Sequence, residues 1–462
     1  MHQIALNSDL LTHVTEGDHT ILFDFKGNSF LYERLGNTIH SGERATLEHL
    51  AQGVQGRIYK PVFDAKSMLN QFTGKIGSLI LGITEDCNML CQYCYNSEIY
   101  TTSRDKTSAK MDWVVAKAAI DLLLKNSDSR PKVQFFGGEP SLELVLLEKC
   151  MEYALSLYSG SQFGITTNGL RLHDLTDIAL RYNMKVTVSL DGPKKIHDKY
   201  RLARNKFPTF DLVDKGLRDL IEMNPEFVRS NVTLAATCWD PEDFPVIVAN
   251  FLTLDKFFSA MYVDFVEPKG MLPDVRGMHA SKHSVIDDFL SYGLAYIDNI
   301  LHGNEQPKLF RTFFDKQMTQ LYYRSREKMP AGLPLDEICV PGQSFIFVNH
   351  KGEVFLCEKM EGYLPIGNNH EGIDTNAQRE SVYLLKGMRD QLCTDCWADR
   401  ICNPCVTNAK NSARELTATD LSESCTGFKD TKIVYLALFG ELLRIDNKKL
   451  YEAYFKTANF EL

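Results

Sequence analysis

Positive charge is in short supply. The 51 Lys and Arg stand against 60 Asp and Glu, a formal net charge of −9, which argues against a protein that holds nucleic acid by general phosphate attraction, although a local basic groove is compatible with that balance. Also missing is any uncharged apolar run near the ~20 residues that span a bilayer. The opening residues, MHQIALNSDLLTHVTEGD, lack the basic-then-apolar pattern of an export signal. A soluble, cytoplasmic chain is therefore expected, with no nucleic-acid and no membrane partner. Internal repeats and long charge runs are absent too, and 44% hydrophobic with 24% charged residues is an ordinary globular balance. The 462 residues exceed what one small core needs, so one large domain with attachments, or two to three domains, is expected.

Cysteine is what the sequence has in excess. Twelve cysteines in a chain without an export signal are not read as disulfides. Ten fall into two groups: Cys87, Cys91 and Cys94, then Cys339, Cys357, Cys393, Cys396, Cys402, Cys405 and Cys425. Cys150 sits in an apolar helical pattern and Cys238 ends an apolar strand. Both read as small buried hydrophobes.

Three regions separate along the chain. Residues 1–74 open with a hairpin signal, HTILFDF (19–25) and SFLYERL (29–35) across Lys26-Gly27-Asn28, followed by a helical stretch around RATLEHLAQG. In the second region, 75–330, six apolar runs (SLILGIT, KVQFFGG, QFGITTNG, KVTVSLDG, NVTLAATC and MYVDFVEP) alternate with amphipathic helical segments from Gly77 to about Pro268, before bridging helices. Repeated βα units with near-continuous apolar strands predict a parallel sheet. Six strands rather than eight predict an α/β fold built on a partial (β/α)6 barrel, with the reacting site at the C-terminal strand ends. Residues 281–328 read as helical. The region 331–462 is cysteine-rich, with a hairpin, SFIFV–NHKG–EVFLCE, and a last amphipathic helix from about Asp430. Gly352 in that hairpin turn suits a positive φ.

Cys87-Asn-Met-Leu-Cys91-Gln-Tyr-Cys94 follows directly after the first barrel strand. A loop of this length can turn three thiolates onto one face of a small cluster. A four-iron cluster wants four ligands, so three cysteines leave one iron open for a substrate or cofactor. The alternative is a structural zinc site that borrows a fourth ligand.

The C-x3-C-x-Tyr-C pattern after the first strand of a partial barrel resembles the radical S-adenosylmethionine (SAM) superfamily, over residues 75–268. The resemblance implies that the open iron chelates SAM, whose reductive cleavage gives methionine and a 5′-deoxyadenosyl radical that abstracts substrate hydrogen. An external one-electron donor of flavodoxin or ferredoxin type is implied with it. Gly137-Gly138-Glu139-Pro140 ends the second strand like the family's GGEP motif, with Glu139 implied at the SAM amino group. Standing alone, such a stretch would be an ordinary strand-to-helix turn. Thr167-Asn168-Gly169 and Ser189-Leu190-Asp191-Gly192 end the third and fourth strands, where the family makes ribose and carboxylate contacts. Asn168 and Ser189 are the candidates, with Tyr93 in the cysteine motif and Arg201 further on. Arg201 is read equally well as a surface ion pair, and His197 and Asp198 as local structure.

The seven cysteines of the tail resemble the SPASM (twitch-type) extension, which binds two auxiliary [4Fe–4S] clusters, for three clusters in all. Its last close pair is spaced x2 here instead of x3. The resemblance implies Cys393, Cys396, Cys402 and Cys425 on one auxiliary cluster. Cys339, Cys357 and Cys405 fall to the other, one ligand short. A zinc ribbon is the plain alternative. Glu358, after Cys357, stands where the sulfatase-maturing branch has an Asp proposed as a base; otherwise it is a solvated hairpin residue. The group acts mostly on peptides, and residues 1–74 look like the winged-helix-like domain with which maturases of ribosomally made peptides hold a leader, or else like a plain cap on the barrel. The expected function is a peptide maturase forming an oxidative cross-link, thioether first, then carbon–carbon or carbon–oxygen. Alternatives are an anaerobic sulfatase maturase making formylglycine from Cys or Ser, a multi-cluster electron-transfer protein, and a zinc-binding scaffold.

Overall fold

The computed structural model describes residues 2–3, 8–54, 75–102, 107–127, 130–266, 270–272, 285–323, 342, 344–402 and 404–445. The N-terminal residues form an antiparallel meander of β1 (His2–Gln3), β2 (Leu11–Glu16), β3 (Thr20–Phe25), β4 (Asn28–Glu33) and β5 (Thr38–Gly42). Phe25 pairs with Asn28, leaving Lys26 and Gly27 as a two-residue turn with φ of 50° and 74°. Two positive φ values are what the right-handed twist of a tight hairpin asks for. Alternate residues of β3 and β4 serve two layers. Leu22 and Leu31 meet Leu47 and Ala51 of the helix Arg44–Val54, whereas Phe23, Phe25 and Phe30 join the main core. The described part is thus a five-stranded sheet with one helix. The further helices expected of a winged-helix-like unit fall on residues 55–74, outside the described residues.

Six strands then form where the apolar runs predict them: β6 (Ser78–Thr84), β7 (Lys132–Gly137), β8 (Gln162–Thr167), β9 (Lys185–Ser189), β10 (Val232–Cys238) and β11 (Ala260–Phe265). All five neighbouring pairs are parallel, in sequential order. Helices such as Trp113–Asn126 and Leu144–Leu157 connect them. Asp112 starts the first of these, its carboxylate accepting from Val114 N and Val115 N. Strand residues such as Leu79, Leu81, Val133, Phe135 and Val186 are buried, each contributing about 1.5–3 kcal/mol. Cys150 and Cys238 are buried as small core residues.

The sheet continues past β6. β12 (Ile346–Val348) pairs parallel to it, Ile346 opposite Leu79 and Val348 opposite Leu81. β13 (Glu353–Phe355), β14 (Gly367–Asn368) and β15 (Gly372–Ile373) follow antiparallel, giving ten strands. One hydrogen-bonded sheet therefore runs through the boundary expected near residue 331. Gly352 has φ 84°, as its turn requires. The region 281–328 contains the helices Val285–His302 and Lys308–Tyr323. The last helix, Cys425–Ile445, begins at Cys425 rather than near Asp430, because Thr426 and Gly427 interrupt the apolar pattern without interrupting the helix. It packs against β4, where a Cβ on Gly440 would lie 2.9 Å from the Phe30 ring. No helix among the described residues is long and apolar enough to cross a membrane.

Candidate active site

The first cysteine loop is anchored at both ends before any ligand is considered. At its base Thr84 Oγ1 accepts from Asp86 N (3.1 Å), and Asp86 Oδ1 accepts from Cys87 N (2.9 Å) and pairs with Arg204. Further along, Leu90 N donates to Leu202 O (2.8 Å) and Gln92 N to Tyr200 O (2.9 Å), laying the loop against the segment after the helix Lys194–Tyr200. The Gly137-Gly138 pair supports the same base. Gly138 N donates to Thr84 O (2.7 Å) and Glu139 N to Asp86 O (2.8 Å). A Cβ on Gly137 or Gly138 would lie 2.2 Å from the backbone oxygen of Thr84 or Asp86, respectively. These glycines let the end of β7 press against the cysteine loop.

Glu139 is almost completely buried. Its Oε1 accepts from Ser141 N (3.0 Å) and Thr167 Oγ1 (2.7 Å), and its Oε2 from Asn168 N (2.6 Å). It thereby caps the short turn Pro140–Glu143 and ties β7 to β8. An ionised carboxylate offers ~four acceptor positions, so one is left for a further donor. Asn168 Nδ2 donates to Asn88 Oδ1 (2.7 Å) and lies 3.8 Å from Cys87 Sγ. Ser189 is half-buried at the end of β9, opposite Ala235.

Behind Cys91 lies a buried polar chain. Tyr93 OH donates to Asp191 and accepts from Arg201 Nη1 (2.7 Å). Asp191 Oδ1 accepts from Thr237 N (3.0 Å), and Asp191 N donates to His197 Nδ1 (3.3 Å). His197 Nε2 faces Thr209 Oγ1 (3.1 Å), which donates to Arg201 O (2.7 Å); this assigns the proton of a neutral imidazole to Nε2. Arg201 is 6% exposed and so is no surface ion pair. His197 and Asp198 do serve local structure, Asp198 Oδ1 accepting from Thr209 N and Phe210 N. Burial pushes the Cys91 thiol up to about 12, opposed by the Arg201 charge. Burial also raises Asp191 and lowers His197 to about 3. Arg201 Nε is buried without a hydrogen-bond partner. Three thiols on one loop, an orphaned guanidinium N–H beside them and a spare acceptor on Glu139 fit an anionic iron–sulfur cluster with an amino-acid-bearing cofactor.

A family model described as the Radical SAM superfamily matches residues 81–235. An uncharacterized protein of Methanocaldococcus jannaschii, MJ0907, is 30% identical over 295 residues, 63% of this chain and 87% of its own length. The chain belongs to the radical SAM superfamily. A serine-type anaerobic sulfatase-maturating enzyme of Bacteroides thetaiotaomicron is 32% identical over 164 residues, 34% of this chain and only 39% of that enzyme. Among solved structures, anSMEcpe with bound AdoMet and Cp18Cys peptide has the same fold, with a TM-score of 0.59 and 19% identity over 80% of this chain and 99% of that one.

In this radical SAM enzyme six further described cysteines gather at two places. Arg389 is buried, and its charge is favoured by Asp399, Cys393 and Cys402. Lys429 opposes the burial of both Cys396 and Cys425, and Lys432 that of Cys402. One zone thus holds the half-buried Cys393, Cys396, Cys402 and Cys425, beside Arg389, Lys429 and Lys432. Cys357 and Cys405 share a second zone with Lys410. Burial pushes the Cys357 thiol up to about 12 and lowers Lys410 to about 8. Cys405 is exposed, and Cys339 lies outside the described residues. All eleven described cysteines are free thiols.

Glu358 is half-buried and opens a short turn directly after Cys357. It faces β11: the Tyr262 hydroxyl is pushed up to about 12 by burial first, then by Asp264 and Glu358. The end of the hairpin therefore lies near β11. A further contact joins these parts, with ligand atoms of Glu85, His350 and Glu361 all within 4.8 Å of one another. Neither this triad nor the cations beside the cysteines was marked by any local pattern, since their members are distant in sequence.

Proposed function

We propose that this radical SAM enzyme is a maturase of a ribosomally made peptide, forming an oxidative cross-link in it, with a thioether the first expectation and carbon–carbon or carbon–oxygen bonds next. Cys87, Cys91 and Cys94 would hold the [4Fe–4S] cluster. Glu139 would accept from the SAM amino group, while Gly137, Gly138 and Pro140 hold its backbone in place. Asn168 and Ser189 would take the polar groups of the cofactor, and Arg201, oriented by Tyr93, its carboxylate. When bound, the cluster and SAM supply the 5′-deoxyadenosyl radical that abstracts hydrogen. Cys393, Cys396, Cys402 and Cys425 would hold one auxiliary cluster as an electron acceptor, in a SPASM-like unit. Cys339, Cys357 and Cys405 would contribute to the other, with Glu358 placed to take up a proton. Electrons would enter from an external flavodoxin- or ferredoxin-type donor, and free thiols in such number suit the reducing cytoplasm.

The observation that carries the peptide reading is the N-terminal sheet. Among the described residues no strand pairs with the outer edge of β5, and Ser41 and Gly42 on it are exposed. An extended leader can add there as a further strand, in the role expected of a winged-helix-like unit. Intact mass spectrometry of short peptides encoded beside the gene, co-expressed with the enzyme, tests this. Loss of about two hydrogens per event, mapped to a residue pair, is expected. An unchanged peptide in the presence of assembled clusters defeats the reading. Similarity to the sulfatase-maturating enzyme of B. thetaiotaomicron favours a second one, oxidation of Cys or Ser to formylglycine, which a sulfatase-derived peptide would report.

A further inference from the structure

The N-terminal sheet reaches into the auxiliary cysteine zone through one buried side chain. Arg34, directly after β4, is fully buried. Its Nη1 donates to Thr394 O (2.8 Å), and its Nη2 donates to Asp399 Oδ2 (3.0 Å) and more weakly to Cys393 O (3.3 Å). Asp399 is shared: its Oδ1 accepts from Arg389 Nη2 (2.6 Å). Arg400 returns the contact by donating to Arg34 O (3.2 Å) and Leu35 O (3.0 Å). Tyr32 and Trp397 pack edge to face beside them, with centroids 6.2 Å apart. A second tie runs from Glu16 of β2 to Lys429, one turn into the helix that Cys425 begins.

Two buried arginines share one aspartate, in a place where water cannot screen their charges. A buried surplus cation is costly unless an anion stands nearby. Four thiolates around a [4Fe–4S] core carry such a negative charge, and Arg389 already senses Cys393 and Cys402. Arg34, bonded to Thr394 O, Cys393 O and Asp399, is placed to act on that charge.

We propose that Arg34 is a positioning residue of the auxiliary centre: from the N-terminal sheet it fixes the 393–399 turn and sets the charge, and hence the potential, of the cluster at Cys393, Cys396, Cys402 and Cys425. This rests on that centre being a cluster, as set out above. It makes the proposed leader-binding sheet and the electron acceptor one electrostatic unit.

The test is anaerobic potentiometry of the reconstituted full-length enzyme, followed by EPR, with iron and sulfide counts. Removing a cation disfavours the more negative reduced cluster, so Arg34→Gln is expected to move the auxiliary midpoint to a more negative value. Asp399→Asn, which removes an anion, is expected to move it to a more positive one. Arg34→Lys keeps the charge and is expected to stay near wild type. The SAM-binding cluster should keep its signal in all three. General loosening of the fold would shift the first two variants in the same direction, which overturns the proposal, as would an unchanged midpoint in Arg34→Gln. Should Arg34→Gln not hold the cluster at all, an Arg34→Lys enzyme with full iron and a wild-type midpoint supports the proposal, whereas one with a displaced midpoint overturns it. Cys393→Ala is the separate control. If it leaves the iron count unchanged, rather than lowering it by about four atoms, the cluster reading itself fails, whatever Arg34 does.

Discussion

The two cysteine zones are built on opposite plans. The first takes three thiols from a single loop between Cys87 and Cys94, with its supports at neighbouring strand ends and its cation, Arg201, on the segment the loop leans against. The second takes Cys393, Cys396 and Cys402 from one irregular stretch and Cys425 from the head of a helix. Its charges come from Arg389, Lys429 and, through Asp399, from Arg34 at the other end of the chain. A site of the first kind is specified by the barrel alone. One of the second kind is specified by three parts of the molecule meeting, and it inherits the state of each.

Cysteine replacement breaks this comparison most sharply. Cys91→Ala is expected to reduce 5′-deoxyadenosine formation to background. Cys393→Ala is expected to keep it within about tenfold of wild type, ~1.4 kcal/mol in barrier, while peptide modification is lost. Chromatographic assay of both products checks this, and equal loss in the two variants would erase the distinction between the zones.

Acid comes next. His197, behind the first zone, has its value lowered by burial from 6.5 to about 3. The folded state refuses a proton that the unfolded state accepts. Its contribution to stability is therefore complete above pH 6.5 and is lost as pH falls from there towards about 3, at about 1.4 kcal/mol per pH unit. Denaturant titrations across that range should show this slope in the wild type and a shallower one in His197→Gln.

Smaller effects separate two glycines. Gly138→Ala places a methyl 2.2 Å from Asp86 O, and a cost of about 1–3 kcal/mol is expected, together with loss of iron from the first cluster only. Gly427→Ala, in the first turn of the helix Cys425–Ile445, meets nothing within 4 Å. It should be neutral or stabilising by up to ~1 kcal/mol. Chemical denaturation and iron analysis read both.

The same contrast governs what the amino-acid sequence discloses. All six barrel strands are legible because a parallel strand covered on both faces is apolar nearly throughout, as SLILGIT is. The Cys87 loop is legible because its spacing is local and its family resemblance specific. Arg34, Asp399 and Lys429 are not, because each is an ordinary charged residue until the chain brings it to a cysteine. The hairpin of β12 and β13 is legible in SFIFV and EVFLCE, but nothing in Ile346–Val348 names β6 as a further partner. The sequence places Glu139 and Asn168 at strand ends, but no local pattern shows that Glu139 already holds three donors.

The pairing of β12 with β6 carries a consequence for biogenesis. Ile346 sits opposite Leu79, so the two strands meet only after the intervening barrel has been made, and contacts so distant in sequence form slowly. The Cys87 loop and its supports through Arg204 all belong to the first half of the chain. A nascent enzyme is thus expected to be ready for its first cluster while still on the ribosome. The tail cysteines are made later, and their zone also needs Glu16 and Arg34 from the N-terminal sheet, so its assembly is expected to follow that of the Cys87 loop.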